Sequence, residues 1–251
     1  MNNIELSILV PAFVAGLLIL ATHIPLGMKV LARGIIFADL AVAQIAGLGV
    51  IIAGFLEVTG YPLAVQIIAA GSAILGAILL AIIERKLPEV QEACIGLLFV
   101  LAASGSILLM NRDTHTGEHL QNLLVGQILW VSNDQLFGTF TLTAVLLASW
   151  RVLHKQLGSI GFYILFALAV TASVQLVGVY LVFASLIIPA LATYKMQQNR
   201  MLAASLIGIT GYAVGLWLSV WADLPSGATI IWVMAVAGAL VMLKKRVNLT
   251  V

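Results

Sequence analysis

The stretch Arg33 to Val50, RGIIFADLAVAQIAGLGV, decides how the chain is read. A basic residue opens it and a long apolar run follows. That run encloses one carboxylate, Asp39, and one amide, Gln44, then closes on Gly47 and Gly49. Roughly 20 apolar residues are needed to cross a bilayer's hydrocarbon, and this segment comes close to that length. A carboxylate one turn inside such a segment costs about 3 kcal/mol or more, which makes Asp39 a functional-site candidate by default.

The composition around it agrees. Of 251 residues, 62% are hydrophobic and 9% charged, a balance that excludes a soluble globular domain and belongs to a polytopic membrane protein. The net charge of +2 carries little information, because the placement of charges matters more than their sum. One cysteine, Cys94, excludes an internal disulfide and any CxxC metal or redox motif, and reads as a small buried hydrophobe. The first residues, MNNIELSILV, lack the basic region and small-residue cleavage site of a signal peptide, so the first apolar run is expected to be a retained span.

Nine apolar runs approach spanning length: 7–28, 35–56, 62–83, 94–110, 135–150, 160–176, 178–194, 202–221 and 226–243. Residues 160–194 form one block, divided here because a helix of that length would rise roughly 50 Å, too far for one crossing. The expected fold is thus an all-α transmembrane bundle of about nine spans in a single domain, 1–251, with eight spans plus a re-entrant segment as the alternative. With the N-terminus outside, Lys29, Arg33, Arg85, Lys86, Arg151, Lys155, Lys195, Arg200, Lys244, Lys245 and Arg246 all fall on the cytoplasmic side. Only Arg112 is left outside, so the positive-inside rule predicts an N-out, C-in chain.

Small and rigid residues refine this picture. Gly211 and Gly215 form a GxxxG pair, and Gly47, Gly49 and Gly54 recur in the second span, spacings that let helices approach closely. Pro189, in SLIIPALA, removes a backbone donor inside a span and predicts a kink or break, a feature that often lines a transport path. Trp130, Trp217, Trp221 and Trp232 near predicted span ends read as interfacial anchors.

Most chemistries are excluded. The chain has no HExxH and no GxSxG, and no second deep carboxylate to make a protease dyad with Asp39. It has no Walker A sequence and cannot hydrolyse ATP alone. A helical bundle with one intramembrane carboxylate, a few histidines and breakable helices describes a permease. His23, in ATHIPLGMKV, reads either as a packed, hydrogen-bonded residue or as a ligand on the path. His115, Glu118 and His119 lie within five residues on an outer loop, as a solvated polar turn or a weak site for zinc or manganese. His154 beside Lys155 reads as cytoplasmic surface.

Five segments in order resemble the permease subunits of ABC importers for zinc, manganese and iron. They are the Arg33–Val50 stretch, Glu92-Ala93-Cys94-Ile95-Gly96-Leu97-Leu98-Phe99, and Leu123-Leu124-Val125-Gly126-Gln127-Ile128-Leu129. Then come Val177-Gly178-Val179-Tyr180-Leu181-Val182 leading to Leu186-Ile187-Ile188-Pro189-Ala190, and Asp223-Leu224-Pro225-Ser226-Gly227. The resemblance implies a permease paired in the membrane as a homodimer. It would be docked on cytoplasmic ATP-binding subunits and supplied by an extracytoplasmic metal-binding protein.

Asp39, Gln44, His23 and Pro189 would line the substrate path, with Asp39, and more weakly His115, Glu118 and His119, as metal ligands. Arg151, Lys155, Arg85 and Lys86 would face the ATPase. No nucleic acid and no permanently bound cofactor are implied, only the transported divalent metal, zinc first and manganese next. The setting would be the inner membrane of a prokaryote.

Two departures from the family pattern are visible. The family's second span carries an Asp and a His at i and i+4, whereas here Asp39 and Gln44 stand five apart, about 140° around a helix. The family's cytoplasmic segment between the fifth and sixth spans is reduced to Arg151–Ser159, RVLHKQLGS. That reduction keeps open a coupling-impaired or non-transporting scaffold, and the missing histidine keeps open iron or another small solute as cargo.

Overall fold

The computed structural model describes residues 3–56, 58, 60–110 and 128–247. Among the described residues there is no β-strand. Seven α-helices lie among the described residues: α1 (Asn3–Arg33), α2 (Ala38–Phe55), α3 (Pro62–Lys86), α4 (Gln91–Met110), α5 (Asn133–Ala192), α6 (Arg200–Ala222) and α7 (Ser226–Val247). Their ends follow local chemistry. Pro62 starts α3 at a position where a missing N–H costs nothing. Ser132 and Gln135 form a capping box at α5: the Gln135 N–H donates to Ser132 Oγ at 3.2 Å, and the Ser132 N–H donates to Gln135 Oε1 at 2.9 Å. Asp223, in the left-handed region at φ 52°, closes α6.

By length and composition, seven described helices reach membrane-spanning size, where nine runs were expected. The difference lies in α5. Its stretch 135–150 is not among the seven, and 160–194 appears as one apolar helix, Gly158–Ala192. Thirty-five helical residues rise roughly 50 Å, more than a straight crossing uses. The backbone answers at two glycines. Gly158 (φ 54°) and Gly178 (φ 79°) adopt left-handed conformations inside the hydrogen-bonded run, which residues without a Cβ do at little cost. Gly178 stands where the sequence divides 160–176 from 178–194. The break expected at Pro189 is not there: α5 continues three residues past it to Ala192. The outer segment His115–His119 lies outside the described residues.

The chain divides into two compact units. The first comprises residues 1–33, 125–144 and 176–251. Here α1 packs on α6 and α6 on α7, and the contacts are made at glycines. Gly16 faces the Tyr212 ring, Gly27 the Leu186 carbonyl and Gly208 the Leu20 side chain. The GxxxG pair does what its spacing predicts: Gly211 meets Met234 and Gly215 the backbone of Ile230, leaving no room for a Cβ.

The second unit comprises residues 34–124 and 145–175, in which α2 packs on α3 and α4. Gly49 faces Ser72 and Ala69, and Gly76 faces Ile45, whereas Gly54 looks into open space. Large apolar side chains such as Leu63, Leu75, Leu97, Leu108 and Trp232 are exposed on helix surfaces, an arrangement that suits hydrocarbon and not water. Trp217 stacks on Trp221 with ring centroids 6.1 Å apart, both exposed near the end of α6, as expected of interfacial anchors.

A substitution pair tests the left-handed backbone at Gly178 in α5. Gly178→Ala forces a Cβ into the left-handed region and is expected to cost about 1–2 kcal/mol. Gly71→Ala, inside α3 with nothing within 4 Å, is expected to be neutral or stabilising by up to about 1 kcal/mol. Thermal unfolding in detergent micelles compares the two.

Candidate functional site

The polar residues that matter are few and deeply placed. Asp39 is the second residue of α2 and only 1% exposed. Its position follows from the preceding turn: Gly34 takes left-handed backbone at φ 70°, and the Ala38 N–H donates to the Ile35 carbonyl at 3.1 Å as α2 begins. The first turn of a helix carries free N–H groups and partial positive charge, which favours a carboxylate there. The N–H groups of Asp39 and Leu40 do face it. Even so, neither carboxylate oxygen has a hydrogen-bond partner.

Gln44 lies on the same helix and is 9% exposed. α2 runs without interruption from Ala38 to Phe55, so the five-residue spacing holds Asp39 and Gln44 about 140° apart about its axis. They are not an adjacent ligand pair. Gln44 is left as a buried amide on the α2 packing face.

His23, in the other unit, is fully enclosed. Its Nδ1 lies 3.0 Å from the Ile19 carbonyl and 3.1 Å from Thr22 Oγ1, and Thr22 Oγ1 in turn donates to the same carbonyl at 3.0 Å. A carbonyl oxygen only accepts, so the network assigns the ring proton to Nδ1 and leaves the lone pair on Nε2. Nε2 is buried and has no partner. A neutral imidazole held this way by a backbone carbonyl is the usual form of a metal-ligating histidine, and equally of one that accepts a hydrogen bond from a passing solute.

Pro189 is buried near the end of α5, where its carbonyl accepts from both the N–H (3.3 Å) and Oγ1 (2.8 Å) of Thr193. In the same unit, Ser185 Oγ and the Tyr212 hydroxyl share a hydrogen bond of 2.9 Å, both fully enclosed.

Other expected positions are more peripheral. Arg85 and Lys86 are exposed at the end of α3. Arg151 and Lys155 fall on the α5 backbone with side chains outside the described residues, and the segment Arg151–Ser159 is helical rather than a separate turn. His115, Glu118 and His119 lie outside the described residues, and no group of three potential metal ligands occurs among the described ones.

Sequence reading passed over two contacts. Glu92, in the first turn of α4, accepts the Phe37 N–H through Oε1 at 3.2 Å, and Gln91 Nε2 donates to the Tyr163 hydroxyl at 2.8 Å. The only sequence signal for Glu92 is its place at the head of a segment resembling the importer permeases.

Seven apolar helices of spanning length among the described residues define a polytopic membrane protein. The chain belongs to the ABC 3 transport family, which it matches over residues 5–162 and 152–245. This bears out the resemblance to permease subunits of the zinc, manganese and iron importers. The chain is 25% identical over 237 residues to the manganese transport system membrane protein MntC of Halalkalibacterium halodurans, covering 86% of this chain and 80% of that one. It is 26% identical over 210 residues to the chelated iron transport system membrane protein YfeD of Yersinia pestis, covering 74% and 68%. Its fold matches a chain of PsaBC from Streptococcus pneumoniae, solved in complex with Fab, at a TM-score of 0.70 and 22% identity over 93% of this chain and 89% of that one.

The buried hydroxyl pair provides a packing test in the first unit. Tyr212→Phe and Ser185→Ala each strand one hydroxyl and are expected to destabilise by about 1–3 kcal/mol. The double variant is expected to lose less than the sum. Unfolding of the four proteins in one detergent gives the coupling.

Proposed function

We propose that this chain is the membrane permease subunit of an ABC importer that carries a divalent transition metal across the bacterial inner membrane. The observation that carries the reading is Asp39, a carboxylate enclosed at the start of α2 with neither oxygen partnered. An acid buried at such cost, with nothing in its own fold to satisfy it, is accounted for by a cation that visits. His23, with its bare Nε2, supports a second point of contact for the same cargo. Membership of the family and the names of the manganese and iron relatives support the cargo class. Zinc, placed first by the sequence, is named by neither relative and stays beside manganese and iron.

Residues 1–251 act as one permease domain, paired with a second copy. Transport is by alternating access, driven by ATP hydrolysis on a separate cytoplasmic subunit and fed by an extracytoplasmic metal-binding protein. The basic residues recur along the chain at alternate helix connections: Lys29 and Arg33 before the α1–α2 turn, Arg85 and Lys86 at α3–α4, Lys195 and Arg200 at α5–α6, and Lys244 near the end of α7. That distribution supports the N-out, C-in orientation. Arg85, Lys86, Arg151 and Lys155 are the expected ATPase-facing surface. The loop ligands His115, Glu118 and His119 would serve at the outer side, and Pro189 and Gln44 as packing along the path.

One observation favours a second reading, a coupling-impaired or non-transporting scaffold: Arg151–Ser159 stays within the hydrogen-bonded run of α5, left-handed only at Gly158, and forms no separate helical segment to receive an ATPase. Co-purification separates the two, since a scaffold brings no ATP-binding subunit with it.

In a strain deprived of its own manganese, iron and zinc importers, the wild-type system is expected to restore metal accumulation. Asp39→Ala is expected to reduce it at least about tenfold, about 1.4 kcal/mol in barrier height, with the protein still in the membrane. Wild-type uptake by the variant removes Asp39 from the mechanism.

A further inference from the structure

The first two residues of α4 reach to two different helices of the second unit. Gln91 Nε2 donates to the Tyr163 hydroxyl on α5 at 2.8 Å, across 72 residues of sequence. Glu92 Oε1 accepts the Phe37 N–H at the start of α2 at 3.2 Å, across 55. Successive side chains stand about 100° apart around a helix, so adjacent positions are placed to serve two neighbours.

Each contact answers a local need. Phe37 caps α2 without a side-chain acceptor of its own. In a capping box, the third residue of the helix returns its side chain to the cap N–H, but here that residue is Leu40, which has no acceptor to return. Glu92 supplies one from α4. Tyr163 is fully buried, where a phenol needs a hydrogen-bond partner. Its ring stands edge-on to Phe162 at 5.3 Å, and Phe162 stacks on Phe166 at 5.8 Å, so the hydroxyl that Gln91 meets is held in place by α5 itself.

The helices joined here carry the residues that the transport reading uses. Asp39 lies two positions beyond Phe37 and is enclosed, so a cation reaches it only when the start of α2 or its surroundings move. Gln91 follows Arg85 and Lys86 through Leu87 and the short 3-10 turn Pro88–Val90. Tyr163 stands on α5 about 12 Å of helical rise beyond Lys155. Both expected ATPase-facing pairs, Arg85 with Lys86 and Arg151 with Lys155, thus lead into Gln91 and Glu92. What these two hold at the other end is the start of α2. Each link is a single hydrogen bond, weak enough to break and re-form within a transport cycle.

We propose that Gln91 and Glu92 form a clasp that carries movement from the ATPase-facing ends of α3 and α5 to the start of α2, so that the enclosure of Asp39 opens in step with ATP hydrolysis. Both are positioning residues, and neither has to touch the metal. The inference rests on the transport reading and adds how its site is controlled.

The test is manganese carried per ATP hydrolysed, in proteoliposomes holding the full chain with its ATP-binding subunit and metal-binding protein. Tyr163→Phe keeps the packed ring but removes the hydroxyl that Gln91 meets. Glu92→Ala removes the acceptor for Phe37, whereas Glu92→Gln keeps an oxygen there. Tyr163→Phe and Glu92→Ala are each expected to retain the ATPase and its hydrolysis and to lower the ratio at least about fivefold. Glu92→Gln is expected to stay within about twofold of wild type, and the double variant to fall little below the worse single one. A merely structural role would lower folded complex, hydrolysis and transport together and leave the ratio unchanged. An unchanged ratio in Tyr163→Phe or Glu92→Ala overturns the clasp, as does a Glu92→Gln ratio as low as that of Glu92→Ala. If Glu92→Ala does not assemble, Tyr163→Phe decides alone. When the wild type carries manganese and the variants match its ratio, the clasp fails and the transport reading stands. If the wild type hydrolyses ATP but carries no metal, the transport reading fails. The clasp is then judged by the stimulation of hydrolysis by the loaded metal-binding protein, which Tyr163→Phe must lose. A wild-type chain that assembles with no ATP-binding subunit overturns both.

Discussion

Hydrocarbon offers a polypeptide no hydrogen-bond partner, so every N–H and C=O inside the membrane must be satisfied by the chain itself. That constraint explains why the described elements are helices. It also explains why the exceptions cluster at residues that tolerate them. The long α5 takes left-handed backbone at Gly158 and Gly178 without losing its hydrogen-bonded run. Where Pro189 withdraws a donor, α5 ends within one turn and Thr193 gives its carbonyl two donors. With no hydrophobic force to hold apolar helices together in lipid, packing depends on close approach, and it is made at Gly16, Gly27, Gly208, Gly211 and Gly215 in one unit and Gly49 and Gly76 in the other.

Against that background an unsatisfied polar atom carries information. Most buried hydroxyls are paired: Ser185 with Tyr212, Ser106 with the Ala102 carbonyl, Ser219 with the Leu224 carbonyl. Asp39, the outer nitrogen of His23 and one oxygen of Glu92 are not. The hydroxyl of Thr171 and the Nε of Arg200 are bare as well, but among the described residues Asp39 is the one carboxylate with both oxygens buried and unpartnered. For a protein of the ABC 3 transport family, a cation in transit is the economical candidate.

The class of fold was legible because span length and apolar composition are properties of single segments. Asp39 was legible for the same reason, as one charge in an apolar run. The GxxxG contact of Gly211 and Gly215 also followed from spacing alone. What escaped reading depends on partners far apart in sequence. Glu92 stands among polar residues at a helix end, where an acid is unremarkable, and its meaning comes from Phe37, 55 residues away. The proton position on His23 depends on the Ile19 carbonyl, which no sequence pattern reports. The division of α5 was not legible: apolar length called for a break, yet the hydrogen-bonded run continues from Asn133 to Ala192, with left-handed backbone at Gly158 and Gly178 inside it.

The central claim is that this chain conducts a divalent metal under the control of a separate ATPase. Its most direct test is radiolabelled manganese accumulation in proteoliposomes holding the chain with its ATP-binding subunit, the metal-binding protein and ATP on opposite faces. The account predicts accumulation that requires ATP, stops when hydrolysis is blocked, and is competed by other divalent transition metals. Manganese, iron and zinc all staying outside, with the ATPase assembled and hydrolysing, would contradict it.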